Sequence, residues 1–97
     1  MKSLPWRLAA GFVLLGTSMA QAQDASQLAQ SKGCMSCHAV DQTRMGPSFK
    51  AITEKYKGQA NAAATIVAEL KDGTGHIKVN ATDAELQQLA TYVLATK

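Results

Sequence analysis

The chain has 97 residues, of which 46% are hydrophobic, 5% aromatic and 18% charged, and its formal net charge is +3. This composition is too apolar for a disordered chain, and the length is too small for a nucleotide-binding α/β enzyme. One small globular domain is therefore expected.

The N-terminal segment has the pattern of a secretory signal peptide. Lys2 and Arg7 give it a basic start, and an apolar stretch leads to the small residues Ala20 and Ala22, which a signal peptidase reads. We predict a signal peptide over residues 1–22 that is removed after Ala22, leaving a periplasmic domain over residues 23–97. The alternative is an uncleaved membrane anchor, although the apolar stretch is short for a bilayer.

Cleavage would change the charge of the protein. Without Lys2 and Arg7, eight of the ten basic residues remain against seven acidic ones. A net charge this close to zero gives little support for nucleic-acid binding. A domain of this size also has a small hydrophobic core, so a disulfide, metal or cofactor is expected to stabilise it.

The first two helices are predicted on either side of a loop that Gly46 and Pro47 interrupt. Asp24 is expected to cap the first helix, which runs toward Lys32 or Cys34. The second helix is predicted from about Ser48 to Tyr56, where apolar residues recur at helical spacing, and Gly58 ends it.

Two further helices are predicted in the C-terminal half. Asn61 caps the third, which carries an apolar stripe and stops at Gly73. Thr82 and Glu85 have the spacing of a capping box at the start of the fourth. No convincing strand is present, so the predicted class is all-α.

Cys34, Cys37 and His38 form a C-x-x-C-H motif, which is typical of covalent haem attachment. Cysteines at positions i and i+3 share one face of a helical turn, so both thiols can reach one haem. A thioredoxin-like redox pair would need a βαβ unit. The motif would also suit a structural disulfide, or a zinc site that uses Cys34, Cys37, His38 and His76.

Several segments resemble the small bacterial class I c-type cytochromes, and the resemblance covers nearly all of residues 23–97. They are residues 32–41, 46–50, 55–56, 70–73 and 92–94. The resemblance implies a compact four-helix fold wrapped around one haem c attached to Cys34 and Cys37. It also implies that His38 binds the iron and that the Pro47 carbonyl accepts a hydrogen bond from the His38 ring.

The same resemblance implies that the first and last helices cross near Gly33 and Tyr92. Gly33 would then allow a close helix approach. The simpler interpretation is a glycine that ends a helix.

The chain departs from this family at the distal iron ligand. The family usually has a Met in the loop before the last helix, and here that loop contains His76 and no Met. We predict that His38 and His76 both bind the iron and that the reduction potential is lowered. One alternative is a solvated His76 that titrates freely. The others are that Lys78 or Asn80 binds the iron, or that the position is open.

The predicted function is single-electron transfer by a periplasmic carrier that is not an enzyme. Periplasmic redox proteins would dock transiently at the haem edge, with no nucleic-acid binding and no stable membrane insertion after cleavage. A ring of lysines around that edge would steer acidic partners, or would form only an ordinary soluble surface. These lysines are Lys32, Lys50, Lys55, Lys57 and Lys78. The alternatives are a haem protein that binds gases or catalyses a reaction, and a subunit of a larger redox complex.

Overall fold

The computed structural model describes residues 18–97, so most of the predicted signal peptide lies outside the described residues. Within this part of the chain every regular element is helical, which confirms the all-α prediction. The elements are α1 (Ser18–Ser31), a short 3₁₀ helix (Cys34–Ser36), α2 (Phe49–Lys55), α3 (Ala62–Asp72) and α4 (Asp83–Leu94). None of the helices in residues 18–97 has both the length and the apolar character needed to cross a bilayer.

Helix α1 begins earlier than predicted. It starts at Ser18 and passes through Asp24, so the prediction that Asp24 caps it is wrong. Residues 18–23 are Ser, Met, Ala and Gln only, and no Gly or Pro among them stops the helix from extending. The predicted cleavage point after Ala22 therefore falls within the range of α1.

Gly33 ends α1 and does not create a close helix contact. Its φ of +82° lies in the left-handed region, which glycine adopts without strain. A Cβ built on Gly33 would meet no other atom within 4 Å. Helices α1 and α4 do pack against each other, but Gly33 is a helix-end glycine.

The predictions for α2 and α3 are confirmed to within one or two residues. Ser48 caps α2, because its side-chain oxygen accepts a hydrogen bond from the Ala51 backbone N–H at 3.0 Å. Asn61 occupies the N-cap position of α3, although its side chain makes no capping hydrogen bond. Gly73 ends α3 with a φ of +77°.

The capping box at the start of α4 is present as predicted. The Thr82 hydroxyl accepts from the Glu85 backbone N–H at 3.1 Å. In return, the Thr82 backbone N–H donates to Glu85 Oε1 at 3.0 Å. This reciprocal pair fixes the point at which the preceding loop becomes helix.

Helix α4 is the element against which α1, α2 and α3 all pack. The Thr53 hydroxyl donates to the Val93 carbonyl at 2.9 Å and joins α2 to α4. The Tyr92 ring meets Phe49 edge-on, with 6.1 Å between ring centroids. The buried apolar residues in the described part of the chain are Ala29, Phe49, Ala62, Ile66, Leu86, Leu89 and Ala90.

Candidate haem site

The C-x-x-C-H motif lies on the short 3₁₀ helix that follows α1. The backbone N–H groups of Cys37 and His38 both donate to the Cys34 carbonyl, at 3.2 and 3.0 Å. These two bonds form a tight turn that carries all three residues. Cys34 and Cys37 are half-buried free thiols, so the structural disulfide is not formed. Burial raises the pKa of the Cys34 thiol, while a hydrogen bond within the same residue opposes the shift.

The His38 ring is fixed by the loop that precedes α2. Its Nδ1 lies 2.6 Å from the Pro47 carbonyl oxygen. A carbonyl can only accept, so Nδ1 carries the proton and donates, which leaves Nε2 as a free lone-pair donor for a metal. The prediction made for Pro47 matches this contact.

The backbone of Gly46 also lies close to the His38 ring. A Cβ built at Gly46 would lie 2.6 Å from His38 Cε1, closer than real Cβ contacts allow. The Gly46 N–H donates to the Cys37 carbonyl at 2.8 Å, and the Phe49 ring stacks on His38 with centroids 5.5 Å apart. From sequence, Gly46 was predicted only to interrupt a loop, and its contact with His38 was not predicted.

His76 lies in the loop between α3 and α4, here called the distal loop (residues 73–82). Gly73 and Gly75 both have positive φ, at +77° and +73°, and let the backbone turn sharply on either side of Thr74. The half-buried His76 ring has its Nδ1 2.7 Å from the Ile77 carbonyl oxygen. His76 therefore also donates from Nδ1 and keeps Nε2 free.

The two histidine rings are brought together although they are far apart in sequence. Their centroids are 6.0 Å apart and their planes differ by only 3°. Two imidazoles that bind one metal from opposite sides through bonds of about 2 Å each would have ring centres separated by roughly 6 Å. The 6.0 Å separation of the His38 and His76 rings is therefore of the size that an intervening metal ion needs.

Comparisons with known proteins identify the family of this chain. The family model described as Cytochrome c matches residues 22–97. This chain belongs to the cytochrome c family. It is 40% identical over 92 residues to cytochrome c-551 of Pseudomonas aeruginosa, an alignment that covers 84% of this chain and 88% of the relative. It is 35% identical over 78 residues to cytochrome c-552 of Hydrogenobacter thermophilus, covering 73% of this chain and 80% of the relative.

Solved structures show the same fold. The wild-type cytochrome c552 of Nitrosomonas europaea superposes with a TM-score of 0.68 at 30% identity, covering 74% of this chain and 99% of that one. The class 1 cytochrome MtoD of Sideroxydans lithotrophicus ES-1 superposes with a TM-score of 0.68 at 27% identity, covering 84% and 98%. The chain is therefore a small class I monohaem cytochrome c, an electron-transfer protein whose cofactor is one covalently bound haem c with its iron.

In this cytochrome the methionines lie away from the distal loop in sequence. One of them, Met45, contacts the attachment motif directly. Met45 is 86% exposed, and its Sδ lies 3.8 Å from Cys37 Sγ, beside the attachment motif. The Met35 carbonyl accepts a hydrogen bond from Arg44 at 3.0 Å. Met45 is therefore positioned next to Cys37, on the side of the site that His38 occupies.

The zinc alternative is not supported by the arrangement of ligands. Within residues 18–97 no group of three or more His, Cys, Asp or Glu side chains is arranged to hold a metal ion. Cys34, Cys37, His38 and His76 therefore do not form the four-ligand site that zinc requires. His38 and His76 each use Nδ1 in a hydrogen bond to a backbone carbonyl and keep Nε2 as a possible metal ligand.

Four of the five lysines assigned to the docking ring are exposed, namely Lys50, Lys55, Lys57 and Lys78. Lys32 is different, because its side chain is only 27% exposed and lies 3.7 Å from Glu85. Its Nζ also donates to the Asn80 carbonyl at 2.9 Å. Lys32 therefore bonds within the protein, and nothing in the sequence pattern indicated this.

Proposed function

We propose that the haem is attached through Cys34 and Cys37 and that His38 and His76 are the two axial ligands of its iron. The observation that carries this proposal is the pair of parallel rings 6.0 Å apart, each with Nδ1 bonded to a backbone carbonyl. Hydrogen bonding at Nδ1 fixes the tautomer and raises the basicity of the opposite nitrogen, which favours metal binding through Nε2.

The chain's own residues would keep the geometry constant while the electron moves. Haem c supplies one-electron oxidation and reduction of its iron when bound. Pro47 and Gly46 hold the His38 ring, and the glycine turns of the distal loop hold His76. Because both sides of the iron would be filled by the protein, a substrate has no free position, which favours an electron carrier over an enzyme.

The proposed ligand pair lowers the reduction potential relative to a carrier with a Met ligand. A Met axial ligand raises the potential, and a second His removes that effect. Axial ligands are among the main controls over a span of about 0.8 V in haem proteins. We therefore assign this chain to the lower-potential side of its Met-ligated relatives.

The N-terminal segment bears on the location of the carrier, and the surface lysines bear on the redox proteins that it binds. Residues 1–22 would act as a signal peptide that is cleaved after Ala22, so that residues 23–97 work in the periplasm. Redox proteins there would dock transiently at the haem edge, with the exposed Lys50, Lys55, Lys57 and Lys78 favouring acidic surfaces. Such contacts are small, below about 1,200 Å², because a carrier must release its partner.

Absorption spectra test the ligand assignment. They are recorded for the ferric and ferrous haem protein with and without carbon monoxide, for the natural chain and for His76→Ala and His76→Met. We expect a low-spin natural protein that lacks a Met–iron charge-transfer band and takes carbon monoxide slowly. His76→Ala should become high-spin and bind carbon monoxide at once.

His76→Met is the matched control, because it keeps a ligand of similar reach in the loop. It should regain the Met–iron band and show a raised potential. A natural protein that is already high-spin, or that shows the Met–iron band, would contradict the assignment of His76.

A further inference from the structure

The distal loop is held to α3 by two backbone hydrogen bonds. Gly73 ends α3 and its N–H donates to the Glu69 carbonyl at 2.9 Å. The Val79 N–H donates to the Leu70 carbonyl at 2.8 Å and folds the loop back onto the same helix. These contacts leave the stretch from Asn80 to Thr82 to be fixed by something other than α3.

Lys32 adds an attachment between this stretch and the end of α1. Its Nζ donates to the Asn80 carbonyl at 2.9 Å, across 48 positions of sequence. Its backbone N–H donates to the Leu28 carbonyl at 2.9 Å, which anchors the residue to the end of α1. The distal loop is thereby tied to α1 and to the segment that leads directly into Cys34.

Glu85 keeps the Lys32 ammonium in place. Its Oε1 lies 3.7 Å from Lys32 Nζ and accepts from the Thr82 backbone N–H at 3.0 Å. The Thr82 N–H is the main cause that holds the pKa of Glu85 below its usual range; desolvation opposes it, and the nearby Lys32 charge adds to the lowering. The charged carboxylate thus fixes Lys32 and the loop end together.

The two histidines differ in how directly they are fixed. His38 is held by Pro47, Gly46 and Phe49, which belong to another part of the chain. The hydrogen bond of the His76 ring runs only to its own neighbour Ile77, whose side chain is 74% exposed. The position of the His76 ring therefore follows the position of the loop backbone.

From these contacts we propose that Lys32 is a positioning residue for the distal ligand, and that its bond to the Asn80 carbonyl restrains His76 from leaving the iron. The inference rests on the proposed ligation by His76. Lys32 touches neither iron nor haem in this role, because it acts through the loop backbone. Without the bond, the loop would open more often and a small neutral ligand would reach the iron sooner.

The test is the rate at which the ferrous haem protein binds carbon monoxide, compared between the natural chain and Lys32→Met. Carbon monoxide can bind only after His76 has left, so the rate reports opening of the loop. Hydrogen bonds from charged donors are among the stronger ones, so we expect an acceleration of about tenfold or more. Lys32→Arg keeps a charged donor and should restore most of the slow rate.

Lys71→Met is the matched control. Lys71 also pairs with an acidic residue at the start of α4, since its Nζ lies 3.0 Å from Asp83, but this pair is on the surface and involves no loop carbonyl. Its removal should change the rate by less than about twofold, as exposed ion pairs contribute little. Thermal unfolding of each variant separates a local opening of the loop from general destabilisation.

The outcomes distinguish the two proposals. If the natural iron is low-spin and His76→Ala frees it, but Lys32→Met and the natural chain bind carbon monoxide at equal rates, the role of Lys32 is overturned and the ligation stands. Equal acceleration by Lys32→Met and Lys71→Met also overturns it. A natural iron without His76 as ligand overturns both.

Discussion

Gly46 occupies a position at which the site leaves no room for a side chain. The Cβ of an alanine would lie 2.6 Å from His38 Cε1, so the ring or the Gly46–Pro47 backbone must move. We expect Gly46→Ala to lower the free energy of unfolding by about 1–3 kcal/mol, as overpacked substitutions do. It should also shift the reduction potential, because the bond from Nδ1 to Pro47 would be disturbed.

Denaturant unfolding and redox titration of the haem protein check this expectation. Gly58→Ala is the control, because no atom lies within 4 Å of a Cβ added at Gly58, although its φ of +80° disfavours a side chain. It should be destabilising through backbone strain alone and leave the potential unchanged. A Gly46→Ala protein with the natural potential and spectrum would contradict the role given to Gly46.

At this scale the sequence predicts the candidate ligands and, through the resemblance, the contact of Pro47 with His38, but not the other contacts that hold the two rings. Cys34, Cys37 and His38 are adjacent in the chain, and His76 stands out as the only other histidine. The contacts of Gly46 and of the Ile77 carbonyl depend on backbone angles and on loops meeting in space. Gly46 had one usable signal, its position directly before the Pro47 that faces the ligand.

The start of α4 is the element with a defined pH response. The Thr82 backbone N–H is the main reason that the pKa of Glu85 lies below its ordinary value of 4.5 in the folded chain. A carboxyl group with a lowered folded-state pKa stabilises the fold above its unfolded value. That contribution is lost as the pH falls from about 4.5 through the lower, folded-state value.

Glu85→Gln should remove this contribution, so its stability should fall less steeply than that of the natural chain below this pH. The measurement is urea unfolding across the acidic range. Thr82→Ala keeps the backbone N–H, the largest cause of the lowered pKa of Glu85, and so keeps most of the pH dependence, while losing about 1 kcal/mol at neutral pH through the missing cap. Identical acid profiles for Glu85→Gln and the natural chain would rule out the carboxylate as the cause.

Helix ends were predictable where a side chain or a glycine marks them. The capping box of Thr82 and Glu85 and the end of α3 at Gly73 were both located from sequence. The start of α1 was not, because Asp24 can cap a helix but nothing before it forces one to begin there. Gly33 was ambiguous for a different reason, since the same glycine suits a helix end and a close crossing.

At the scale of the whole molecule, the apolar core of the described residues is small. The buried apolar residues of the described chain include three alanines, and the two large hydrophobic side chains Met45 and Ile77 near the site are exposed. A domain of this size seldom gains more than about 3–5 kcal/mol from its own core. A covalently bound haem stays attached when the chain unfolds, but it packs against apolar side chains only in the folded state, and burial of that surface would add to the stability.

We therefore expect the double substitution Cys34→Ala and Cys37→Ala, which removes covalent attachment, to give a chain with weak or non-cooperative unfolding. Near-ultraviolet circular dichroism and denaturant titration of the haem-free chain measure this. The control is the natural haem protein under the same conditions. A cooperative transition at an unchanged midpoint would show that the polypeptide is sufficient by itself.

The overall fold was more predictable than its contacts. Helical apolar spacing and the absence of strand signals indicate four helices, and the resemblance around Cys34–His38 indicates how they are arranged. The tie between Lys32 and Asn80 spans 48 positions and has no local signal. Long-range polar contacts of this kind appear only once the helices have been placed.

The parallel planes of His38 and His76, which differ by 3°, also bear on the electronic state of a ferric iron bound between them. Parallel imidazoles direct their π electrons at the same iron d orbital. That d orbital is therefore separated in energy from the second one, whereas perpendicular rings would leave the two nearly equal. The unpaired electron then occupies one defined orbital. Electron paramagnetic resonance should accordingly give a well-resolved rhombic signal, which is the signature of aligned rings.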